Sequence, residues 1–513
     1  MITKPTRLLC TIICLRAILS IFLWNHSGGF FWLTADDASR MEMAYYWSQG
    51  FFFFNSPGNP FWLPLGTWVH GLALIVVDDP LVTSSVVNST FSIASIVLIY
   101  KITQALFPGT PFSPPLAAGI FAFCPILVWL GMSGLSEPMF HFFMLMGIFF
   151  LLLADRHKQP RAYLYSSIGF LGASAIRYEA WVLVVAFAFF CALEFKQSKH
   201  RLTILMSVAL ASMFVPIWLY WQWHVFGDYL HFVRFFAATS PSLGASSYIR
   251  LLWEIAPLDL LLALSGICMS IRLPGIWRYL FFIAFYYCVF VITTRGVVAA
   301  NYPVRNLTSV FIVLIPYAAY GLHVIATRLR FYRTVVYLVL LAYIVGGTVQ
   351  SLAYAYTFQA RDVVVKTAIW SHCAIRVGLF DDGSKILVEA RRGGSDEGDL
   401  VWDSHFLHAV NPGKIVYDRL GNWIHKDGHY VLNELGNPST LEGPSGEVEK
   451  RLRLQNIRVV IAYSEPAFRV LDAFMKPVKQ WVEYRIYKWP DDERMTDLCG
   501  LEPARDREPQ ITR

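Results

Sequence analysis

Long uninterrupted apolar runs dominate the first 353 residues. They fall at 8–24, 61–77, 81–106, 113–131, 137–154, 162–177, 179–195, 203–222, 251–271, 277–294, 306–326 and 334–353. About 20 apolar residues cross a bilayer as a helix, so the pattern predicts a polytopic helical membrane part. Beyond residue 353 the pattern changes. Short strand-like runs at 385–389, 414–418, 458–464 and 483–489, with a helical stretch at 465–475, predict a small soluble α/β domain. The expected division is a membrane module at 1–353, with a first outer loop at 25–80, and a soluble domain at 354–513.

Composition sharpens this division. Only 15% of the 513 residues are charged and 56% are hydrophobic, against about 25% charged in a soluble domain. Residues 354–513 hold 46 of the 79 charged side chains. The first two thirds therefore cannot be a soluble enzyme, a disordered chain or a fibre. The net charge of +7 splits as +9 on the membrane part and −2 on the tail. No basic stripe marks the soluble part, which argues against nucleic acid as a partner. Arg392-Gly393-Gly394-Ser395 lacks the strand-to-helix context of a nucleotide loop. Most cysteines lie in apolar runs; Cys373 and Cys499 fall in the tail and form a candidate pair if it faces an oxidising compartment. Lys4 and Arg7 precede the run at 8–24. No small-residue cleavage site follows it, so it reads as a retained helix.

Basic residues collect in cytoplasmic loops. Arg156-His157-Lys158 with Arg161, the stretch from Lys196 to Arg201, Arg272 with Arg278, and Arg328, Arg330 and Arg333 mark four such loops. Counting back from the first, the run at 81–106 begins outside, yet the first helix also ends outside. The run at 61–77 is then a juxtamembrane or re-entrant helix, which suits its Trp62, Trp68, Pro60 and Pro64. The alternative is that it spans and a later run is miscounted. The preferred count is about eleven spans with the C-terminus outside, and membrane lipids as neighbours.

On this topology the charges outside include Asp36, Asp37, Arg40, Glu42, Asp78, Asp79, Glu137, Arg177, Glu179, Asp228, Arg234, Arg250, Arg295 and Arg305. Charges close to a membrane are costly, and are functional candidates for that reason. Asp36-Asp37 opens an amphipathic stretch ending at Gly50. Paired acids there also suit plain helix capping. Arg177 and Glu179 have mutual neutralisation as their alternative, Arg305 interfacial snorkelling, and Glu137-Pro138 an ordinary helix start. Tyr45, Trp47, Trp62 and Trp68 are candidates for stacking on a substrate or for interfacial anchoring. His70 and His141 lie near the same region; lone histidines on apolar faces are more often structural than ligating.

Asp36-Asp37-Ala38, an alanine-aromatic helix, Gly50, Asn55-Ser56-Pro57-Gly58 and Trp62-Leu63-Pro64-Leu65 together resemble the first outer loop of the GT-C glycosyltransferases, polytopic enzymes that use polyprenyl-phosphate sugars. The likeness runs on for about 320 residues. Ser133-Gly134-Leu135-Ser136-Glu137-Pro138 resembles their second outer acid. Ala175-Ile176-Arg177-Tyr178-Glu179 resembles their hairpin tip, with Tyr178 where proline is common. Tyr302-Pro303-Val304-Arg305 resembles their late outer arginine. The resemblance implies inverting sugar transfer from a lipid phosphate to an acceptor hydroxyl on a glycan, lipid or protein, at the outer face of the plasma membrane or the lumenal face of the endoplasmic reticulum. It implies Asp36 as base with Asp37 assisting, capping or binding metal. Arg305, Arg177 and Arg295 would hold the donor phosphate. Glu137 would orient the acceptor, hold an arginine or join Asp36 on a divalent metal, whose need stays open. Arg40, Glu179 and Trp62 are further substrate contacts. The alternatives are a transporter or flippase of a lipid-linked or anionic substrate, which would line a two-sided cavity with Glu137, Arg177 and Arg305, and a receptor or scaffold.

Overall fold

The computed structural model describes residues 4–27, 35–50, 62–157, 159–196, 198–234, 250–253, 256–271, 273, 276–294, 303–328, 332–361, 384–388, 415–417, 423–426, 429–432, 444–462, 465–480 and 485–490. Arg295, Cys373 and Cys499 lie outside them. The helices of the N-terminal part include α1 (Lys4–Ser27), α2 (Ala35–Gly50), α3 (Pro64–Val76), α4 (Pro80–Leu106), α5 (Ser113–Phe123), α6 (Pro125–Leu130), α7 (Glu137–His157), α8 (Pro160–Ser174), α9 (Glu179–Phe195), α10 (Arg201–Ser212), α11 (Phe214–Phe226), α12 (Pro257–Ser270), α13 (Ile276–Thr294), α14 (Pro303–Thr327) and α15 (Tyr332–Arg361).

Among the described residues six helices are long and apolar enough to cross a membrane: Pro5–His26, Pro80–Leu106, Glu137–His157, Arg201–Phe226, Leu307–Thr327 and Thr334–Ala353. The chain is a polytopic helical membrane protein. Several apolar runs are shorter or broken as helices. The run at 113–131 divides at Cys124 into α5 and α6, because Pro125 has no N–H and cannot continue the helix through its ring. Helix α3 has 13 residues, about 20 Å of rise against a hydrocarbon core of about 30 Å. Helix α15 continues to Arg361, eight residues past the end of its apolar run.

The core of the bundle is a continuous apolar cluster contributed chiefly by α1, α4, α5, α7, α8, α9 and α14. In a bilayer, helices associate by close packing and interhelical hydrogen bonds rather than by excluding water. Helices α12 and α14 show the first. A Cβ at Gly266 would lie 2.0 Å from the Tyr317 carbonyl, and one at Gly321 2.3 Å from that of Leu262, so both positions need glycine. Helix α4 shows the second. Its face of Ser85, Asn88 and Ser89 donates to the carbonyls of Met132, Ser133, Leu135 and Gly131, pinning the loop between α6 and α7. Arg16, buried in α1, donates to Ser20 Oγ at 2.6 Å and to the Val128 carbonyl at 3.1 Å. It thus satisfies a free carbonyl of the six-residue α6.

The C-terminal part contains β1 (Lys385–Val388), β2 (Ile415–Tyr417), β3 (Trp423–Lys426), β4 (His429–Leu432), α16 (Ser445–Leu454), β5 (Ile457–Ala462), α17 (Glu465–Leu471), β6 (Lys476–Gln480) and β7 (Arg485–Lys488). The sheet order is β2-β1-β5-β7-β6, with β3 and β4 as a separate hairpin. β1 runs parallel to β2 and β5; β7 is antiparallel to β5 and β6. β1, β2, β5, β7 and α17 match the expected pattern. β6 was not expected: it is an edge strand carrying Lys476, Pro477 and Lys479, residues that suit an exposed edge and weaken a strand signal.

Candidate active site

Acids at helix starts and two arginines meet in one buried cluster. Asp36 lies in the first turn of α2, Glu137 opens α7 and Glu179 opens α9. Carboxylates at these positions complement the helix dipole, so each is favourable locally. Arg177 sits in the turn between α8 and α9, its N–H donating to the Ala173 carbonyl. Arg305 lies in the first turn of α14, just after Pro303. A cation there opposes the helix dipole and needs carboxylates beside it.

Those carboxylates come from distant segments. Arg305 Nη2 donates to Asp36 Oδ2 at 2.7 Å, across 269 residues of sequence. Its Nε lies 2.6 Å from Glu137 Oε1, an ion-pair contact without an aligned hydrogen bond. Arg177 Nη1 donates to the same oxygen at 2.6 Å. Arg177 also grips Glu179 with two bonds, Nε to Oε2 at 3.2 Å and Nη2 to Oε1 at 2.6 Å. One oxygen of Glu137 therefore serves two guanidiniums. Among the described residues its Oε2 has no hydrogen-bond partner. Burial lowers an arginine's pKa, but at Arg177 the carboxylates of Glu179 and Glu137 outweigh it, and at Arg305 those of Glu137 and Asp36 do; both are raised. Both stay charged at any working pH.

The two adjacent aspartates have different surroundings. Asp36 keeps 25% of its side chain exposed, against 2% for Glu137, so Asp36 is the more accessible carboxylate. Asp37 is fully buried, and its Oδ1 accepts the Gly134 N–H at 2.7 Å. A Cβ on Gly134 would sit 3.0 Å from the Asp37 carbonyl and 3.2 Å from Met41, so glycine permits the close approach of this loop to α2. Arg40 lies with its guanidinium 4.3 Å from the centre of the Trp62 ring. Burial lowers its pKa to about 10, with Asp36 and Glu137 acting against that. It remains a cation facing the same cluster, which then holds three acids and three arginines.

Other candidates have local roles. Asp79 caps α4, accepting from the N–H groups of Leu81 and Val82. Asp228 pairs with the exposed Arg234 at 3.3 Å. Tyr178 accepts from Trp218 Nε1 at 3.1 Å and stacks on Phe232, tying the tip at Arg177 to α11 and beyond. His70 is buried, with Nδ1 donating to the Gly66 carbonyl at 3.1 Å; burial lowers its pKa to about 4, so it is neutral. Among the described residues no three His, Cys, Asp or Glu side chains group as a metal site. Asp36 and Glu137 both face Arg305, with Arg177 and Arg40 in the same field. A divalent cation does not fit that arrangement.

Arg16 and the polar face of α4 were not singled out in the sequence. Serines are common in apolar helices and gave no signal; Arg16, a charge inside the run at 8–24, did.

Comparison with known proteins bears on the fold. A family model described as dolichyl-phosphate-mannose-protein mannosyltransferase matches residues 58–221. That stretch includes Glu137, Arg177 and Glu179 and stops short of Asp36 and Arg305. The structure is similar to that of ArnT from Cupriavidus metallidurans, at a TM-score of 0.53 and 10% identity over 93% of this chain and 97% of that one. It is also similar to the Archaeoglobus fulgidus oligosaccharyltransferase, at a TM-score of 0.50 and 13% identity over 90% and 69% of the two chains. No curated protein matches the sequence. The likeness shows a shared fold, that of a polytopic helical membrane protein.

Proposed function

We propose that the protein is an inverting glycosyltransferase that moves a sugar from a polyprenyl-phosphate donor to an acceptor hydroxyl at the outer or lumenal face of its membrane. The observation that carries this reading is Arg305, held between Asp36 and Glu137 where the starts of α2, α7 and α14 converge. Arg305 is within reach of both a base and a donor phosphate, and Arg177 stands beside it through Glu137. A planar guanidinium suits phosphate oxygens.

The chemistry balances around that arginine. Asp36 takes the proton of the acceptor hydroxyl as its oxygen attacks the sugar C1. The bond from C1 to the phosphate oxygen breaks, and its electron pair stays on that oxygen. One negative charge therefore leaves Asp36 and appears on the leaving phosphate. A cation placed between the two stabilises the charge in both positions, and most strongly where it develops. Oε2 of Glu137, without a hydrogen-bond partner among the described residues, is placed to accept from a substrate hydroxyl. The name of the matched family model makes mannose the first sugar to try; hexose or pentose, and a protein, lipid or glycan acceptor, are separated by experiment.

The test supplies purified protein in lipid nanodiscs with a panel of radiolabelled polyprenyl-phosphate sugars and with protein, lipid and glycan acceptors, measuring release of the lipid phosphate. One donor is expected to turn over. No release from any combination, together with movement of a labelled lipid across sealed vesicles, would replace the transferase reading with the transporter.

A further inference from the structure

One helical turn behind the charged cluster lies a second, uncharged contact between the same two helices. His141 is four residues beyond Glu137 on α7, and Thr308 is three beyond Arg305 on α14. Both are buried. Thr308 Oγ1 lies 2.6 Å from the Arg305 carbonyl. That carbonyl only accepts, so the hydroxyl proton goes to it. The same Oγ1 lies 3.1 Å from His141 Nε2 and must accept there. His141 therefore carries its proton on Nε2. The chain of donors runs in one direction, from imidazole to hydroxyl to the backbone of Arg305.

With the ion pair this makes a ladder of two rungs. Glu137 and His141 are one upright, Arg305 and Thr308 the other. A threonine that bonds back to a carbonyl in its own helix bends that helix and turns the carbonyl. Here the imidazole fixes the hydroxyl from the far side. The rung so sets the rotation of the first turn of α14, and with it where the Arg305 guanidinium meets Glu137 and Asp36. Arg305 needs this, since it opposes its own helix dipole and reaches its acids through a long flexible stem.

We propose that His141 and Thr308 are positioning residues that set the affinity of Arg305 for an anionic phosphate group. The inference rests on the sugar-transfer reading above. Its test uses the donor and acceptor found by the panel, and compares Thr308→Val, which keeps the shape and removes the hydroxyl, with Thr308→Ser, which keeps the hydroxyl. Thr308→Val is expected to raise the donor KM about tenfold, the size of one buried hydrogen bond, with the acceptor KM unchanged and kcat less affected. Thr308→Ser is expected to restore the donor KM to within about twofold of the parent, since it keeps that bond. An unchanged donor KM in folded Thr308→Val overturns the inference, as does an equal change in both KM values, or failure of Thr308→Ser to rescue. Should Thr308→Val not fold, His141→Gln, which keeps a donor near Nε2, is compared with His141→Leu. A donor KM near the parent's in the glutamine variant and raised in the leucine variant supports the inference; equal values overturn it. A parent protein inactive with every donor overturns the reading beneath the inference instead.

Discussion

Asp36 and Asp37 are neighbours in sequence and face different surroundings. Asp36 reaches Arg305 and stays partly exposed, while Asp37 is buried against the Gly134 N–H. Their asparagine variants are therefore expected to fail differently. Asp36→Asn should fold, with some loss of thermal stability from its weakened pair with Arg305, and lose about 10²–10⁴ in kcat, the usual contribution of a general base. Asp37→Asn should lower stability by about 1–3 kcal/mol, because it replaces a charge-assisted buried hydrogen bond with a weaker one. Thermal unfolding of both variants beside single-turnover release of lipid phosphate separates the effects. Near-normal turnover in Asp36→Asn would remove it as the base. The charged residues themselves were legible as a set. Glu137, Arg177 and Arg305 stand at the ends of apolar runs, where the cost of burying charge in lipid confines them. Their partners were not, because Arg305 and Asp36 are 269 residues apart. Nor was the difference between the aspartates, which depends on which way each side chain leaves the first turn of α2.

At the scale of elements, the site depends on helix α4 although α4 gives it no charged side chain. Asn88 donates to the carbonyls of Ser133 and Leu135, and Ser85 and Ser89 hold those of Met132 and Gly131. The loop so pinned presents the Gly134 N–H to Asp37 and leads into Glu137. Asn88→Leu should leave two buried carbonyls unsatisfied, at about 1–3 kcal/mol each, and should lower turnover without touching substrate. The check is thermal unfolding and kcat for Asn88→Leu beside Val86→Leu, an exposed substitution on the same helix. Equal behaviour of the two would show that the loop does not need α4. The apolar runs predicted the positions of the helices well, since hydrophobic length is a local property. The break at Cys124 fell inside a run because proline is apolar, and only its missing N–H marks it.

At the scale of the molecule, sidedness follows from charge rather than from shape. Basic clusters in the loops at 156–161 and 196–201, and the short α3, support the proposed topology in which α3 does not span. On it, positions 79 and 513 share one side and positions 4 and 158 the other. Reporter fusions are expected to read positions 79 and 513 as outside or lumenal. A cytoplasmic signal at 79 would mean that α3 spans. We propose on that topology that the C-terminal α/β part shares the side of the charged cluster, as a domain for an acceptor or as a cover.

The sequence by itself determined the class of molecule: helices confined to lipid by their apolar length, charges expelled to their ends, and a charge-rich α/β part after them. These follow from transfer energies that act residue by residue. Only the tertiary structure decided that one oxygen of Glu137 serves both Arg177 and Arg305, that Asp36 rather than Asp37 meets Arg305, and that Arg16, Asn88, His141 and Thr308 support the site from inside the bundle. The physical reason is that a buried polar group must find a partner wherever the fold brings one, and which partner that is depends on contacts between segments far apart in the chain.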